Sequence, residues 1–307
     1  MSRLQDRVAV VTGAGGGLGR SHALALAAAG ARVVVNDLGG AADGSGSGSA
    51  AADQVVAEIV AAGGEAVADY SSVADPEGAA AIVARAVDTW GRLDVLVNNA
   101  GVLRDRTVPN LTVEDIETVL DVHLHGSFYV SQAAYRVMKP AGFGRIVHTT
   151  SGALFGAAGQ SNYSAAKGGI VSLSRAIAVE GARYGITSNC VAPLAHTRLS
   201  GGAFEQLAEV LAPENVSPLV VFLASPTTTV TGEVFSAGGG RFARIFTAYS
   251  PGVHLDPTGP ITADDIEASL DQILSTDGFT IPTNPSEEVI ALVTALATTV
   301  STQQGVS

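Results

Sequence analysis

The chain has 307 residues, 47% of them hydrophobic and only 15% charged, which is enough for a large domain with a full core and excludes disorder over most of its length. Its net charge of −12 argues against nucleic acid as a partner and gives an anionic ligand no long-range attraction, so such a ligand must be held by local groups. No apolar run reaches membrane-span length, the amino terminus lacks a signal-peptide layout, the terminal Gly-Val-Ser is no peroxisomal address, and Cys190 is the one cysteine; a cytoplasmic protein with no disulfide, no metal site and no membrane partner is expected.

Arg7-Val-Ala-Val-Val-Thr12 is a continuous apolar run suited to a strand buried on both faces. It leads into Gly13-Ala-Gly15-Gly16-Gly17-Leu18-Gly19 and an Ala/Leu-rich helix ending near Gly30. Strand, glycine loop and helix in this order give a tight turn, close backbone approach to a pyrophosphate and a helix amino terminus aimed at it. The strand Arg32-Val-Val-Val-Asn36 ends at Asp37, about twenty positions past the glycines, where an acidic side chain binds the adenosine ribose hydroxyls and repels a 2′-phosphate. Asp37 therefore predicts NAD over NADP, the alternative being an ordinary strand-end aspartate.

Residues 39–50 are a Gly/Ser/Ala loop, flexible by composition and set beside the expected adenosine pocket. A helix over about 50–62, a strand ending at Asp69, a helix over about 76–90 and the strand Asp94–Asn98 follow. That last strand runs into Asn98-Asn99-Ala100-Gly101, which can pack the next turn or face a cofactor. Thr112 with Asp115 marks a helix start, and the helix is expected to run to about Met138, carrying His123 and His125.

Residues 145–167 carry the chemistry. An apolar run ending in Thr149, Thr150 and Ser151 passes through a Gly/Ala loop to a helix with Tyr163 and Lys167. Four residues apart, these two side chains share one helix face. Lys139 and Lys167 are the only lysines in the chain, so a lysine one turn from a tyrosine points to a role beyond solvation. A free phenol titrates near ~10, and a nearby ammonium stabilises its anion; the pair predicts Tyr163 as an acid–base group drawn down toward working pH by Lys167. An interface tyrosine beside an exposed lysine is the plain alternative.

Beyond it come a helix to about Arg183, the strand Thr187–Ala192, the strand-end loop Pro193–Thr197, short helices around Phe204–Leu211 and Val216–Ala224, and a last strand, Thr231–Phe235, closed by three glycines. Strands alternating with helices predict an α/β fold, a Rossmann-like doubly wound parallel sheet over residues 1–240 with ligands at the carboxyl ends of its strands. Residues 241–307 break the rhythm and read as a helical extension, with helix starts near Thr262 and at Asn284-Pro285.

Thr-Gly-x-x-x-Gly-x-Gly at 12–19, Asn-Asn-Ala-Gly at 98–101, a hydroxyl near 150 and Tyr-x-x-x-Lys at 163–167, in this order, resemble the short-chain dehydrogenases/reductases over about residues 1–240. Val35–Gly40, Ala100–Arg106, Val122–Phe128 and Gly159–Tyr163 bring the likeness closer to the (3R)-hydroxyacyl-CoA dehydrogenase module of peroxisomal multifunctional enzyme type 2, also called 17β-hydroxysteroid dehydrogenase type 4. The resemblance implies cofactor contacts from the glycine loop, Asp37, Asp69, Asn99, Ala100, Gly101, Tyr163, Lys167 and Thr197. It implies that Tyr163 takes the hydroxyl proton as hydride leaves the same carbon, that Lys167 holds the nicotinamide ribose, and that Ser151 hydrogen-bonds the substrate oxygen. His123 stands where the wider family places a relay asparagine, as it does in the hydroxyacyl-CoA module; proton relay and water orientation both remain open for it. Counting forward from Arg145 puts the substrate hydroxyl at Ser151, and counting back from Tyr163 puts it at Thr150; the strand-side count is preferred. Leu194 replaces a family glycine.

The function these features imply is NAD-dependent oxidation of a 3-hydroxyacyl-CoA, steroid-derived esters included. Dehydrogenation of free hydroxysteroids or other secondary alcohols, and a non-catalytic dinucleotide sensor, are the alternatives. Arg104, Arg106, Arg198, Arg241 and Arg244 are the candidate cations for the phosphates of a CoA ester. A homodimer or homotetramer is expected, pairing through the helices of His123 and Tyr163, with the extension packing on the core or near a partner's active site.

Overall fold

The computed structural model describes residues 3–197, 206–257 and 259–304, with side chains described as far as residue 294. It divides into two compact units, 1–245 and 246–307.

Seven parallel strands form the sheet of the first unit: β1 (Val8–Thr12), β2 (Arg32–Asn36), β3 (Ala66–Asp69), β4 (Val95–Asn98), β5 (Gly144–Thr149), β6 (Ile186–Pro193) and β7 (Val234–Gly238). An eighth strand, β8 (Arg241–Ile245), turns back antiparallel on β7. The order is β3-β2-β1-β4-β5-β6-β7-β8. The direction of winding reverses between β1 and β4, and the crevice outside the strand ends at such a reversal is where ligands bind in open α/β sheets. The doubly wound sheet expected from the alternation of elements is present; β8 was not foreseen and lies where the extension was expected to begin.

Both faces of the sheet are covered, which is why β1 to β4 are built mostly of Val, Ala and Leu. Val11, Val33, Val35, Val97 and Val147 pack on one side with α1 (Gly17–Ala28), α2 (Ala50–Ala61) and α7 (Ser217–Ala224). Val10, Val34, Leu96 and Ile146 face the other side, where α3 (Pro76–Trp90) and α5 (Gly126–Ala141) lie. Each such side chain contributes about 1.5–3 kcal/mol on full burial, so the strands are fixed to the layers above and below before any ligand is considered.

The long helix expected from Thr112 to Met138 is interrupted. Thr112 and Asp115 form the capping box that opens α4 (Val113–Leu120), and α5 follows, but Asp121–His125 between them is wound as a π-helix. That wider turn presents His123 inward, where it is 2% exposed. The remaining long helix, α6 (Ser161–Gly181), carries Tyr163 and Lys167.

The second unit contains α8 (Ala263–Ala268), α9 (Leu270–Leu274) and α10 (Pro285–Gln304). Thr262 with Asp265 caps α8, and the Asn284 side chain accepts from the Ser286 amide, as their sequence positions predict. Tyr249 and Thr280 exchange two backbone hydrogen bonds, and Phe246 stacks on Phe279. Leu274, Val289, Ile290 and Val293 are 59–68% exposed, an apolar surface left open within the unit.

Candidate active site

A cleft of about 990 Å³ opens at the carboxyl ends of β1, β2, β4, β5 and β6. Its floor is the glycine loop. Gly13 and Gly17 have positive φ, and a Cβ on Gly19 would lie 2.1 Å from the Gly13 carbonyl oxygen. The Asn99 amide donates to the carbonyls of Thr12 and Gly13, both at 3.0 Å, while the Thr12 hydroxyl accepts from the amides of Asn99 and Ala100. Asn99 thus holds the loop in shape. Gly16 caps α1 with extended backbone and no side-chain partner, so the first N–H groups of that helix face the cleft, a cradle suited to a pyrophosphate.

Asp37 closes one end. Its carboxylate accepts from the amides of Gly15 and Gly39, both at 2.7 Å, and it lines the cleft. Among the expected cofactor contacts Asp69 is the exception: it does not line the cleft. Its Oδ1 accepts from the Asn36 side-chain amide at 2.8 Å and from the Ser71 backbone amide at 3.0 Å, and Ser71, Ser72 and Val73 line the cleft in its place. Gly13, Gly15, Gly16, Gly17, Leu18, Gly19, Asn99, Ala100, Gly101 and Thr197 all line the cleft.

The other wall holds Ser151, Tyr163, Lys167 and His123. Lys167 is 2% exposed; its ammonium donates to the Thr149 carbonyl and lies 5.4 Å from the centre of the Tyr163 ring. Burial lowers it from 10.5 to about 7. Tyr163 departs from the sequence expectation. Burial pushes the phenol above its ordinary value; a hydrogen bond with Ser151 acts downward, and the Asp105 carboxylate acts upward. An ammonium that is itself starved of water, and engaged by a carbonyl, does not offset the loss of solvent around the phenolate.

The two hydroxyls at the end of β5 have separate duties. Thr150 is 1% exposed and donates to the Lys167 carbonyl at 2.8 Å, tying β5 to α6. Ser151 faces the phenol. His123 packs edge-on against the Tyr163 ring, with centroids 5.1 Å apart. Its Nε2 lies 2.8 Å from the Val102 carbonyl oxygen and 3.1 Å from the Val102 amide, and among the described residues its Nδ1 has no hydrogen-bond partner. Burial, with Lys167 adding to it, holds the ring well below the ordinary histidine range, so it is neutral. Gly101 makes room for it, because a Cβ there would sit 2.4 Å from His123 Cε1.

Among the described residues, three of the expected cations are engaged by carboxylates. Arg104 pairs with Glu114 at 3.0 Å, Arg106 with Asp115 at 2.9 Å, and Arg244 with Glu233 through two contacts of 2.6 and 2.7 Å. Arg241 is exposed on β8, and Arg198 lies outside the described residues. The Gly/Ser loop expected beside the adenosine pocket lines the cleft through Leu38 to Ala41 and Gly44, while Asp105 and Gln160, which line the cleft joined by a 2.6 Å hydrogen bond, were not singled out from the sequence. Neither shows a signal in the sequence, since the partners are 55 or more residues apart.

The family model of the short chain dehydrogenases matches residues 7–206. A short-chain type dehydrogenase/reductase of Mycobacterium tuberculosis is 46% identical over 92% of this chain and 98% of its own length. Peroxisomal multifunctional enzyme type 2 of Mus musculus is 48% identical over 79% of this chain, and the match spans 33% of that enzyme. The solved structure of full-length peroxisomal multifunctional enzyme type 2 from Drosophila melanogaster superposes with a TM-score of 0.82 at 34% identity, over 96% of this chain and 50% of that one.

The two hydroxyls can be told apart by substitution. Ser151→Ala is expected to lower turnover about 100-fold, the scale for a donor aimed at a reacting oxygen. Thr150→Ala is expected to cost about 1 kcal/mol of stability, one buried hydrogen bond, with most turnover kept. Steady-state rates and denaturant titrations check both; the reverse pattern would give Thr150 the substrate role.

Lys167 also sets a pH dependence. Between about 7 and 10.5 the unfolded chain holds a proton that the folded one lacks, so stability rises with pH across that window. Cys190, pushed up to about 12, works in the opposite sense only above its ordinary 9.0. The unfolding midpoint of the cofactor-free protein is expected to climb from pH 7 to 9, and Lys167→Met should remove the climb.

Proposed function

This chain belongs to the short-chain dehydrogenase family, and on that premise we propose that it oxidises a 3-hydroxyacyl-CoA to the 3-oxoacyl-CoA with NAD as the hydride acceptor. The observation that carries the reading is the convergence of Ser151, Tyr163, Lys167 and His123 on one wall of a glycine-floored cleft. The stretches shared with the (3R)-hydroxyacyl-CoA dehydrogenase module, Ala100–Arg106 and Val122–Phe128 among them, supply the substrate class. A nicotinamide dinucleotide is the family's cofactor, and when bound it takes up the hydride from the carbinol carbon.

In this reading Ser151 donates to the substrate oxygen and holds it against the phenol. Tyr163 receives the hydroxyl proton on its phenolic oxygen. Because burial keeps Tyr163 as the phenol, oxidation draws on a small ionised fraction and gains as pH rises. The Lys167 ammonium favours that ionised form and hydrogen-bonds the nicotinamide ribose. The open Nδ1 of His123 hydrogen-bonds a water that passes the proton outward. The Asp37 carboxylate has lone pairs beyond those that Gly15 and Gly39 use, so it can also accept from ribose hydroxyls while repelling a 2′-phosphate. The single, buried thiol of Cys190 suits a reducing compartment such as the cytoplasm.

A second reading has one observation in its favour. Arg104, Arg106 and Arg244 are already neutralised, while Leu103, Leu194 and Ala195 line the cleft. These features suit an uncharged secondary alcohol, such as a free hydroxysteroid. Activity on a panel of 3-hydroxyacyl-CoAs and free steroids, with both cofactors, decides between them. NAD is expected to exceed NADP by at least ~10-fold, about 1.4 kcal/mol, and Asp37→Ala to narrow the gap. Tyr163→Phe should retain dinucleotide binding and lose roughly 10³ in turnover. Equal efficiency on free alcohols would transfer the assignment to the second reading.

We also propose a homodimer or homotetramer. Phe128 on α5 and Val179 on α6 are half-exposed, and 246–294 offers a further apolar surface for a second copy, near whose active site it would pack. A monomer in light scattering at micromolar concentration would contradict this.

A further inference from the structure

The Gly/Ser-rich segment 38–49 has the composition of a flexible linker, yet it is fastened along its length. At its base the Gly48 amide donates to the Leu38 carbonyl, and Gly39 has a φ of +77° with no room for a Cβ, which would lie 2.0 Å from the Gly48 carbonyl oxygen. At its tip the Ala41 amide donates to the Ser45 carbonyl, and the Asp43 side chain accepts from the Ser45 amide and hydroxyl. The tip then meets the segment that follows β4. The Leu103 amide donates to the Ala42 carbonyl at 3.0 Å, and Arg104 Nε donates to the Asp43 carbonyl at 3.0 Å. Gly44 lies against Val102 and Thr118.

The sheet order makes this placement informative. β1, with its glycine loop, lies between β2 and β4. A segment that leaves β2 and is fastened beyond β4 must cross the cleft. Leu38, Gly39, Gly40, Ala41 and Gly44 line it from the strap side, and Val102 and Leu103 from the far side. The fastening is charged at one point only. Arg104 is held by Glu114 on α4, and its own carbonyl accepts from the Asn162 amide, next to Tyr163. Its guanidinium thus points toward the strap and α4, and is not free for the phosphates of a substrate.

We propose that Arg104 is a positioning residue for the dinucleotide: it latches the 38–49 strap across the bound cofactor and so governs cofactor release, with no contact to the acyl-CoA. The inference rests on the dinucleotide-binding part of the reading above. Opening the strap breaks the Arg104–Asp43 and Leu103–Ala42 hydrogen bonds, and those breaks come before the dinucleotide can leave. Because Asp37 holds Gly15 and Gly39 together, the strap base stays in register with the glycine loop while its tip swings.

The test measures release of the reduced dinucleotide by stopped-flow fluorescence, with excess oxidised dinucleotide as competitor. The variants are Arg104→Gln, a strap with residues 41–46 replaced by two glycines, and the combination. Arg104→Gln and the shortened strap are each expected to speed release about 10-fold. The combination should be no faster than the shortened strap alone, because the latch has nothing left to hold. KM for the dinucleotide should rise, with KM for the acyl-CoA within about twofold. Unchanged release in Arg104→Gln would overturn the proposal, as would a selective rise in acyl-CoA KM in Arg104→Gln against an acyl-pantetheine analogue, which would make Arg104 a substrate ligand. A wild-type protein that binds no dinucleotide at all would remove the underlying reading too, an outcome distinct from binding with unaltered release. Should Arg104→Gln unfold, the shortened strap alone still decides, since it removes both anchors and leaves Arg104 with Glu114.

Discussion

One hydroxyl organises the binding end of this protein. Thr12, the last residue of β1, accepts hydrogen bonds from two consecutive amides beyond β4, Asn99 and Ala100, and Asn99 returns two through its side chain. This knot pulls two strand-end loops so close that Gly13 and Gly19 have no space for a methyl group. The floor of the cleft is therefore shaped by protein contacts, not by the ligand, and less ordering is left to be done on binding. Asp37, bonded to Gly15, extends the same rigid frame to β2.

The wall opposite depends on leaving charges without counter-ions. Lys167 is buried with a carbonyl for company, and the histidines near it are neutral. His148 falls to about 3, by burial and then by the lysine charge, and accepts from the Asn98 amide. His123 behaves alike. A paired carboxylate would have stabilised the folded lysine, but it would also have cancelled the positive potential next to the phenol. Here no described carboxylate cancels that potential while Lys167 holds its proton, and the desolvation cost appears as the lowered lysine pKa.

Much of this could be read in the chain. The alternating apolar runs gave the layers, the glycine spacing located the cleft floor, and the four-residue step placed Tyr163 and Lys167 on one helix face. What escaped depends on contacts between residues far apart in sequence. The Gly/Ser composition of 38–49 reads as flexible because its fasteners, Leu103 and Arg104, sit some sixty residues away. The Tyr163 shift was misjudged because charge proximity shows in a spacing, whereas burial does not. Asp69 stood at the right strand end, but its carboxylate turned to Asn36 and Ser71. β8 is short, and Arg241 and Arg244 interrupt its apolar residues, so no apolar run announced it.

The π-wound turn at Asp121–His125 has a bearing on how the helix tolerates change. An α-helix advances about 100° per residue, so one residue accommodated in a wider turn re-phases everything after it. α4 and α5 can then each aim a separate stripe at the core: Asp115 and Val119 before the turn, Val130, Ala134 and Met138 after it. Regularising the turn to α-helix with every residue kept would not merely shift His123. It would rotate one stripe by more than a quarter-turn against the other, so that the two halves could no longer be buried together. Insertions and deletions here are thus counted in angle, not length: a turn straightened to α-helix keeps the two stripes together only if it also loses one residue.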